Sequence, residues 1–173
     1  MTKQSLPPQI QRYDHGTHLE IIRSWRSPYA WFLLVFSALW WIVTTEVIQN
    51  TSMIEEISLI DRYLPLIFVI AGLLCSYSAL AALFNRTYIN AHPAKLVIKH
   101  APLLWPGGKT LDATQIIEFS IRKINKHHND GILTRYTLMA NTRSGREIKL
   151  LSNLPHRRHA AFIKKQLEQY FQT

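Results

Sequence analysis

Two stretches of this chain carry no charge over lengths that matter. Residues 29–45, YAWFLLVFSALWWIVTT, run 17 residues without a charged side chain, and residues 63–84, YLPLIFVIAGLLCSYSALAALF, run 22. A helix needs about 20 apolar residues to cross a hydrocarbon core of about 30 Å. The second stretch meets that length. The first meets it when extended through Glu46 to Ile48, with the glutamate reaching toward the headgroups. A core helix of a soluble protein ordinarily keeps a polar stripe, and neither stretch has one. Tyr29, Trp31 and Tyr63 stand where aromatic belts form, and Pro28 suits a first helical position. The expectation is a transmembrane hairpin over residues 29–84, with helices at about 29–48 and 63–84 and an acidic external loop between them.

The flanking charges orient that hairpin. Residues 1–28 hold four basic and two acidic side chains, the connecting stretch 46–62 holds one against four, and residues 85–173 hold 15 against 5. Lys and Arg near the ends of a span stay on the cytoplasmic side. Arg23, Arg26 and Arg86 are on the side of the termini, against Arg62 alone in the loop. Both termini are therefore expected in the cytoplasm, with residues 1–28 a short N-terminal segment and residues 85–173 a cytoplasmic domain. Residues 1–20 are polar and hold no apolar h-region, so no secretory signal is expected there.

The second span carries small residues at helical spacing: Ala71, Cys75 and Ala79 on one stripe, with Gly72 and Ser76 beside it. Such faces let helices approach closely. The nearest partner is the first helix of the same chain; a second copy or another membrane protein is the alternative. Neither span has a charged residue at its middle, which argues against an ion or proton pathway. Cys75 is the single cysteine, so an intramolecular disulfide is excluded, and its apolar setting reads as packing.

The last 89 residues, 85–173, read as strands and then a helix. TYINAHPAKLVIKH gives two short runs around His92-Pro93-Ala94, with Leu96 and Ile98 alternating against Lys95, Val97 and Lys99. Pro106-Gly107-Gly108 is a turn. In TQIIEFSIRKI, Ile117, Phe119 and Ile121 alternate against Glu118, Ser120 and Arg122. NKHHNDG reads as a loop or hairpin tip. TRYTLMANTRSGREIKLL reads as a hairpin closed at Ser144-Gly145, with Tyr136, Leu138 and Ala140 facing Ile148 and Leu150. The remainder is helical: Asn153 is a candidate cap, Pro155 an early helical residue, and Ala160, Ile163, Leu167 and Tyr170-Phe171 form one apolar stripe. About six strands closed by one amphipathic helix make an α+β arrangement, a curved antiparallel sheet plugged by a helix.

A membrane hairpin followed at once by NRTYINAHPAKLVIKHAPLLWPGGKTLDATQIIEF, then by the YTLMANTRSGREIKLL hairpin and a terminal helix, resembles the bacterial membrane proteins with a PH-like (pleckstrin-homology-like) domain. The likeness spans about residues 18–172 as a pattern; the NRTYI strand, the LDATQIIEF stretch and the closing helix carry it. It implies a PH-like fold on the cytoplasmic face of the bacterial inner membrane and a scaffolding or assembly role. It implies no catalytic residues and no lipid specificity.

The residues themselves point away from catalysis. The eight histidines lack cysteine company and no HExxH occurs, so no metal site and no cofactor are expected; His127-His128 and the pair His156 and His159 read as surface groups. The carboxylates Asp112, Glu118, Asp130, Glu147 and Glu168 show no forced convergence, and Glu147 beside Arg146 and Lys149 reads as a solvated ion pair. Gly107-Gly108-Lys109-Thr110 lacks the leading glycine of a phosphate loop. The basic residues remain: Arg86, then Arg122, Lys123 and Lys126, then Arg157, Arg158, Lys164 and Lys165. Each is worth about 1 kcal/mol against an anionic leaflet when held near it. They equally serve the positive-inside bias. Nucleic acid has weaker support, since no stacking motif or helix-turn-helix accompanies the charge.

The expectation is a non-enzymatic membrane protein whose domain is an interaction, scaffold or assembly module at the membrane surface. Its expected partners are anionic leaflet lipids and another membrane protein or a second copy. The alternatives are an accessory subunit of a membrane enzyme or transport complex, and a small membrane enzyme acting on an anionic substrate. The junction at Asn85-Arg86 is short enough to hold the domain close to the leaflet.

Overall fold

The computed structural model describes residues 9–26, 28–52, 59–128 and 131–171, with the backbone alone for 51–52, 59–62, 126–128 and 131–132. The chain forms two compact units. One joins the residues up to Ser24 with those from Arg86 onward; the other is Trp25–Asn85.

The Trp25–Asn85 unit is a pair of helices, α1 (Pro28–Ser52) and α2 (Leu59–Phe84). Both are long and apolar enough to cross a membrane, with mean hydropathy 1.8 over Pro28–Asn50 and 2.3 over Tyr63–Phe84. Each runs beyond the expected span toward the other. Pro65 lies inside α2, a position that membrane helices tolerate. The pair is joined by polar contacts from α1 onto the small-residue face of α2. Ser37 and Ser76 share a hydrogen bond at 2.7 Å, the Trp41 indole donates to Ser76 Oγ at 2.9 Å, and the Trp40 indole donates to the Phe68 carbonyl at 3.0 Å. Gly72 makes this approach possible: a Cβ there would stand 3.0 Å from Trp40 Cδ1 and 3.3 Å from the Trp41 ring.

Among the described residues, the other unit has eight strands and one α-helix. Strands β1 (Ile10–Asp14), β2 (Leu19–Ser24), β3 (Arg86–Ala91), β4 (Lys95–Ala101) and β5 (Lys109–Asp112) make one antiparallel sheet in chain order. Strands β6 (Ile116–His128), β7 (Gly131–Thr142) and β8 (Glu147–Leu154) make a second, and α3 (Arg157–Phe171) follows. The first sheet buries one face through strict alternation: Leu19 and Ile21, Ala91 and Ile89, Leu96 and Ile98, with Ile10 and Leu111 at its edges. The second contributes Phe119, Leu138, Ala140, Leu150, Leu151 and Leu154, and α3 adds Ala160, Ile163 and Leu167 to the same cluster. The architecture is a helical hairpin with an α+β unit of antiparallel sheets and a C-terminal helix.

Several expectations are corrected. Residues 1–28 are not merely a flanking segment, because Ile10–Asp14 and Leu19–Ser24 are strands of the first sheet. The helical pair is thus inserted between β2 and β3, which are hydrogen-bonded neighbours with Ser24 opposite Arg86. Asn125 to His128 extend β6 instead of forming a loop, while the expected tip at Asp130 lies outside the described residues. Ile117 is not a core residue: a register irregularity between Ile116 and Glu118 turns it out to 64% exposure. Leu138 pairs with Leu151, not Leu150, because β7 and β8 shift register there. Asn153 does not cap α3. It sits within β8 at φ 56°, a left-handed conformation that asparagine adopts at low cost, and the helix begins at Arg157.

Candidate functional site

The basic residues singled out by the sequence fall on three elements. Arg86 opens β3 and is exposed; Arg122 and Lys123 are exposed on β6; Arg157, Arg158 and Lys165 are exposed on α3. Lys126 is placed on β6 by its backbone alone. Two are tied to carboxylates. Arg122 pairs with Glu147 of β8, which is therefore not the partner of its neighbours Arg146 and Lys149, and Lys164 pairs with Glu168 at 3.4 Å. Exposed pairs of this kind contribute little. Among the small residues of α2, Gly72 and Ala79 are buried, while Ala71, Cys75 and Ser76 are partly so.

Two further carboxylates are occupied locally. Glu118 accepts from the Asn141 amide at 2.7 Å. Asp112 accepts from the Thr114 hydroxyl at 2.7 Å and from its backbone N–H at 2.9 Å, and these two bonds hold its carboxyl below the usual range. An open groove of about 270 Å³ has Ile117, Phe119 and Phe171 in its lining, with Glu118 and Glu168. Among the described residues no group of three or more His, Cys, Asp or Glu is placed to hold a metal ion.

The histidines do not behave as one population. His15, His18 and His92 stack, with ring centroids 4.6 and 4.9 Å apart, where the β1–β2 and β3–β4 turns meet. His100 and His159 instead lie in the interior-facing part of the unit. The row Arg23–Thr87–His100 crosses β2, β3 and β4 in register. It continues the buried face, since Arg23 is in phase with Leu19 and Ile21, and His100 with Leu96 and Ile98. Thr87 is buried and its hydroxyl shares a hydrogen bond with His100 Nδ1 at 3.1 Å. Gly107, at φ 114°, closes over the other ring nitrogen: a Cβ there would lie 3.3 Å from His100 Nε2.

His159, in the first turn of α3, is 5% exposed and meets His156 edge to face at 5.4 Å. It is not the surface group that its polar neighbours suggested. Burial, then His156 and Arg23, hold the His159 imidazole below its ordinary value. Burial, then Arg23, do the same to His100. The Arg23 guanidinium is itself lowered by burial and by Arg135 of β7. Its Nε is buried without a hydrogen-bond partner among the described residues. Arg23 of β2 thus acts electrostatically on His100 of β4 and His159 of α3, and Arg135 of β7 acts on Arg23. The sequence offered one signal for it: Arg23 continues the period-two pattern of Leu19 and Ile21.

Searches for a matching family model and for a similar curated protein both find none.

Proposed function

We propose that this chain is a membrane-anchored interaction module, in which α1 and α2 cross the bacterial inner membrane and the α+β unit, PH-like in kind, works at the cytoplasmic surface as a scaffold or assembly factor without an enzymatic reaction of its own. One observation carries the reading. The α+β unit owns a continuous core from both sheets and α3, whereas only 11% and 17% of the most apolar stretches of α1 and α2 are buried. Trp31, Phe32, Leu39, Ile42, Leu66, Ile67, Leu73 and Leu74 are exposed on that pair. A core helix would be covered; a bilayer covers these without any further protein. The two-sheet antiparallel order closed by a C-terminal helix supports the PH-like reading. Arg86, Lys123, Arg157, Arg158 and Lys165, which have no carboxylate partner among the described residues, support contact with anionic lipid or an acidic partner.

The test is crosslinking in membranes followed by purification in mild detergent. A defined partner or second copy, or dependence on anionic lipid, is expected; a strictly solitary chain indifferent to lipid charge refutes the proposal. A reporter fused after Thr173 is expected to be active only in the cytoplasm, and periplasmic activity overturns the orientation. The second reading, an enzyme or accessory subunit acting on an anionic substrate, draws on the His156–His159 ring contact and on the electrostatic effect of Arg23 on His100 and His159. It requires turnover that survives purification to homogeneity.

A further inference from the structure

We propose that the β4–β5 turn inserts into the lipid interface through Leu104 and Trp105, a membrane contact separate from the two spans. The inference rests on the membrane reading above and adds to it a contact made by the α+β unit itself. Leu104 is 85% exposed, more than any large apolar residue described on α1 or α2, where Tyr29 at 64% is the highest. One exposed leucine on a protein surface is ordinary; its neighbours and its place in the sheet set this one apart. The stretch Pro102-Leu103-Leu104-Trp105-Pro106 has no charged side chain. Its two prolines lack N–H groups, which lowers the number of donors that lipid would leave unsatisfied. Tryptophan is enriched at the membrane–water interface.

The register puts this turn at one particular end of the first sheet. Ser24, Arg86 and Ala101 are side by side across β2, β3 and β4. Ser24 ends β2, and Arg86 opens β3 two residues after the end of α2. The turn therefore leaves β4 at the end through which the chain passes to and from the helical pair, about 5 Å from the strand that follows α2. The charges of the sheet divide the same way. Arg23, Arg86 and Lys99 are in the three cross-strand rows nearest that end, whereas Asp14, Glu20 and Asp112 are in the three farthest from it, with Lys95 opposite Asp112. No Asp or Glu occurs from Arg86 through Leu111. An anionic leaflet attracts the first end and repels the second. The turn is also held at its base. A Cβ at Gly107 would stand 3.3 Å from His100 Nε2, and one at Gly108 3.3 Å from the Ile98 carbonyl oxygen. With these glycines packed on β4, the apolar residues before them have no long flexible stem.

The test uses the full chain with Cys75→Ala, an environment-sensitive fluorophore on one introduced cysteine, and vesicles of phosphatidylcholine and phosphatidylglycerol. Leu104→Cys carries the probe in the turn, at a position too exposed to disturb the core. Leu73→Cys, 57% exposed on α2, reports the span, and Ala94→Cys, exposed between β3 and β4, reports the far end of the sheet. The Leu104 probe is expected to emit to the blue of the Ala94 probe, to be quenched by nitroxide on the upper acyl chain, and to lose quenching by aqueous iodide. A Leu104 probe as open to iodide as the Ala94 probe overturns the proposal. So does one shielded from iodide yet untouched by the nitroxide lipid, which would mean a protein cover. In either case a Leu73 probe quenched by the nitroxide lipid leaves the membrane reading standing, and an unquenched one takes both down. The unlabelled chain gives a second measurement. Brominated acyl chains are expected to quench the emission that Trp105→Phe removes, and a removed component insensitive to bromine refutes the insertion.

Discussion

Ser76 is the polar centre of the α1–α2 contact, and replacing it by alanine separates the effects of two hydrogen bonds that meet on one atom. Its Oγ accepts from the Trp41 indole at 2.9 Å and shares a hydrogen bond with Ser37 Oγ at 2.7 Å. Interhelical hydrogen bonds in membranes average about 0.6 kcal/mol in double-mutant cycles, with a maximum near 1.7. Ser76→Ala removes both bonds and is expected to cost about 1–3 kcal/mol. Ser37→Ala leaves the Trp41 bond in place and removes one, about 0.6 kcal/mol. The double variant is expected to match Ser76→Ala alone, since Ser37 has then already lost its partner. That makes the interaction energy of the cycle about 0.6 kcal/mol in size. Unfolding in mixed micelles by increasing SDS, followed by helicity, gives the three free energies. Equal costs for the two single variants, or strict additivity in the double, would refute the shared-atom geometry.

Two further predictions concern the α+β unit. As pH falls below about 6.5, stability is expected to decline: burial and Arg23 hold His100 and His159 below their ordinary 6.5, so the unfolded chain takes up these protons first. The contribution is present in full above the unfolded value and is lost on acidification; the double variant His100→Asn, His159→Asn flattens the midpoint-versus-pH curve, whereas Arg23→Met raises both histidine titrations as read by NMR. Ile163→Ala removes a side chain with 0% exposure from the face of α3 that joins the core, and is expected to cost about 2–5 kcal/mol. Lys165→Ala, exposed on the same helix, is expected to stay within about 0.5 kcal/mol in the same denaturation assay.

The parts legible in the sequence are those whose cause is local. A charge-free run of membrane length needs no tertiary knowledge, and α1 and α2 follow from it. The alternation in β3 and β4 and the Pro106-Gly107-Gly108 turn are equally local. Strands β1 and β2 were hidden for a different reason: Leu19 and Ile21 alternate with Glu20 and Ile22 over too short a run to stand out, and their partner β3 lies beyond the whole helical pair. Register irregularities in β6 and β8 depend on the facing strand, so nothing in TQIIEF announced that Ile117 would turn outward. The row of Arg23, Thr87 and His100 was invisible for the same reason. These residues are far apart in sequence, and only the sheet register sets them side by side across β2, β3 and β4. Arg23 was read for its effect on topology, yet its alternation with Ile21 placed it on a buried face.

The insertion couples the two units through the chain itself. Ser24 and Arg86 are register partners, and just inside them the Trp25 backbone N–H donates to the Asn85 carbonyl at 3.2 Å, while the Asn85 N–H donates to Ala81 at 2.9 Å. A long flexible connection between β2 and β3 would carry a closure cost that grows with its length. Helices that pair and bring Trp25 to Asn85 replace it by a short, closed one. Loss of α1–α2 pairing therefore returns the entropy of a long loop to the β2–β3 contact and leaves the locally connected β6–β7 hairpin unchanged. In Ser76→Ala, amide exchange at Ile21 and Ile89 is expected to quicken relative to the unmodified chain, with Phe119 and Leu138 keeping their protection. Uniform quickening over both sheets would mean that the unit unfolds as one body, and no change at Ile21 and Ile89 would mean that the sheet closes without help from the helices.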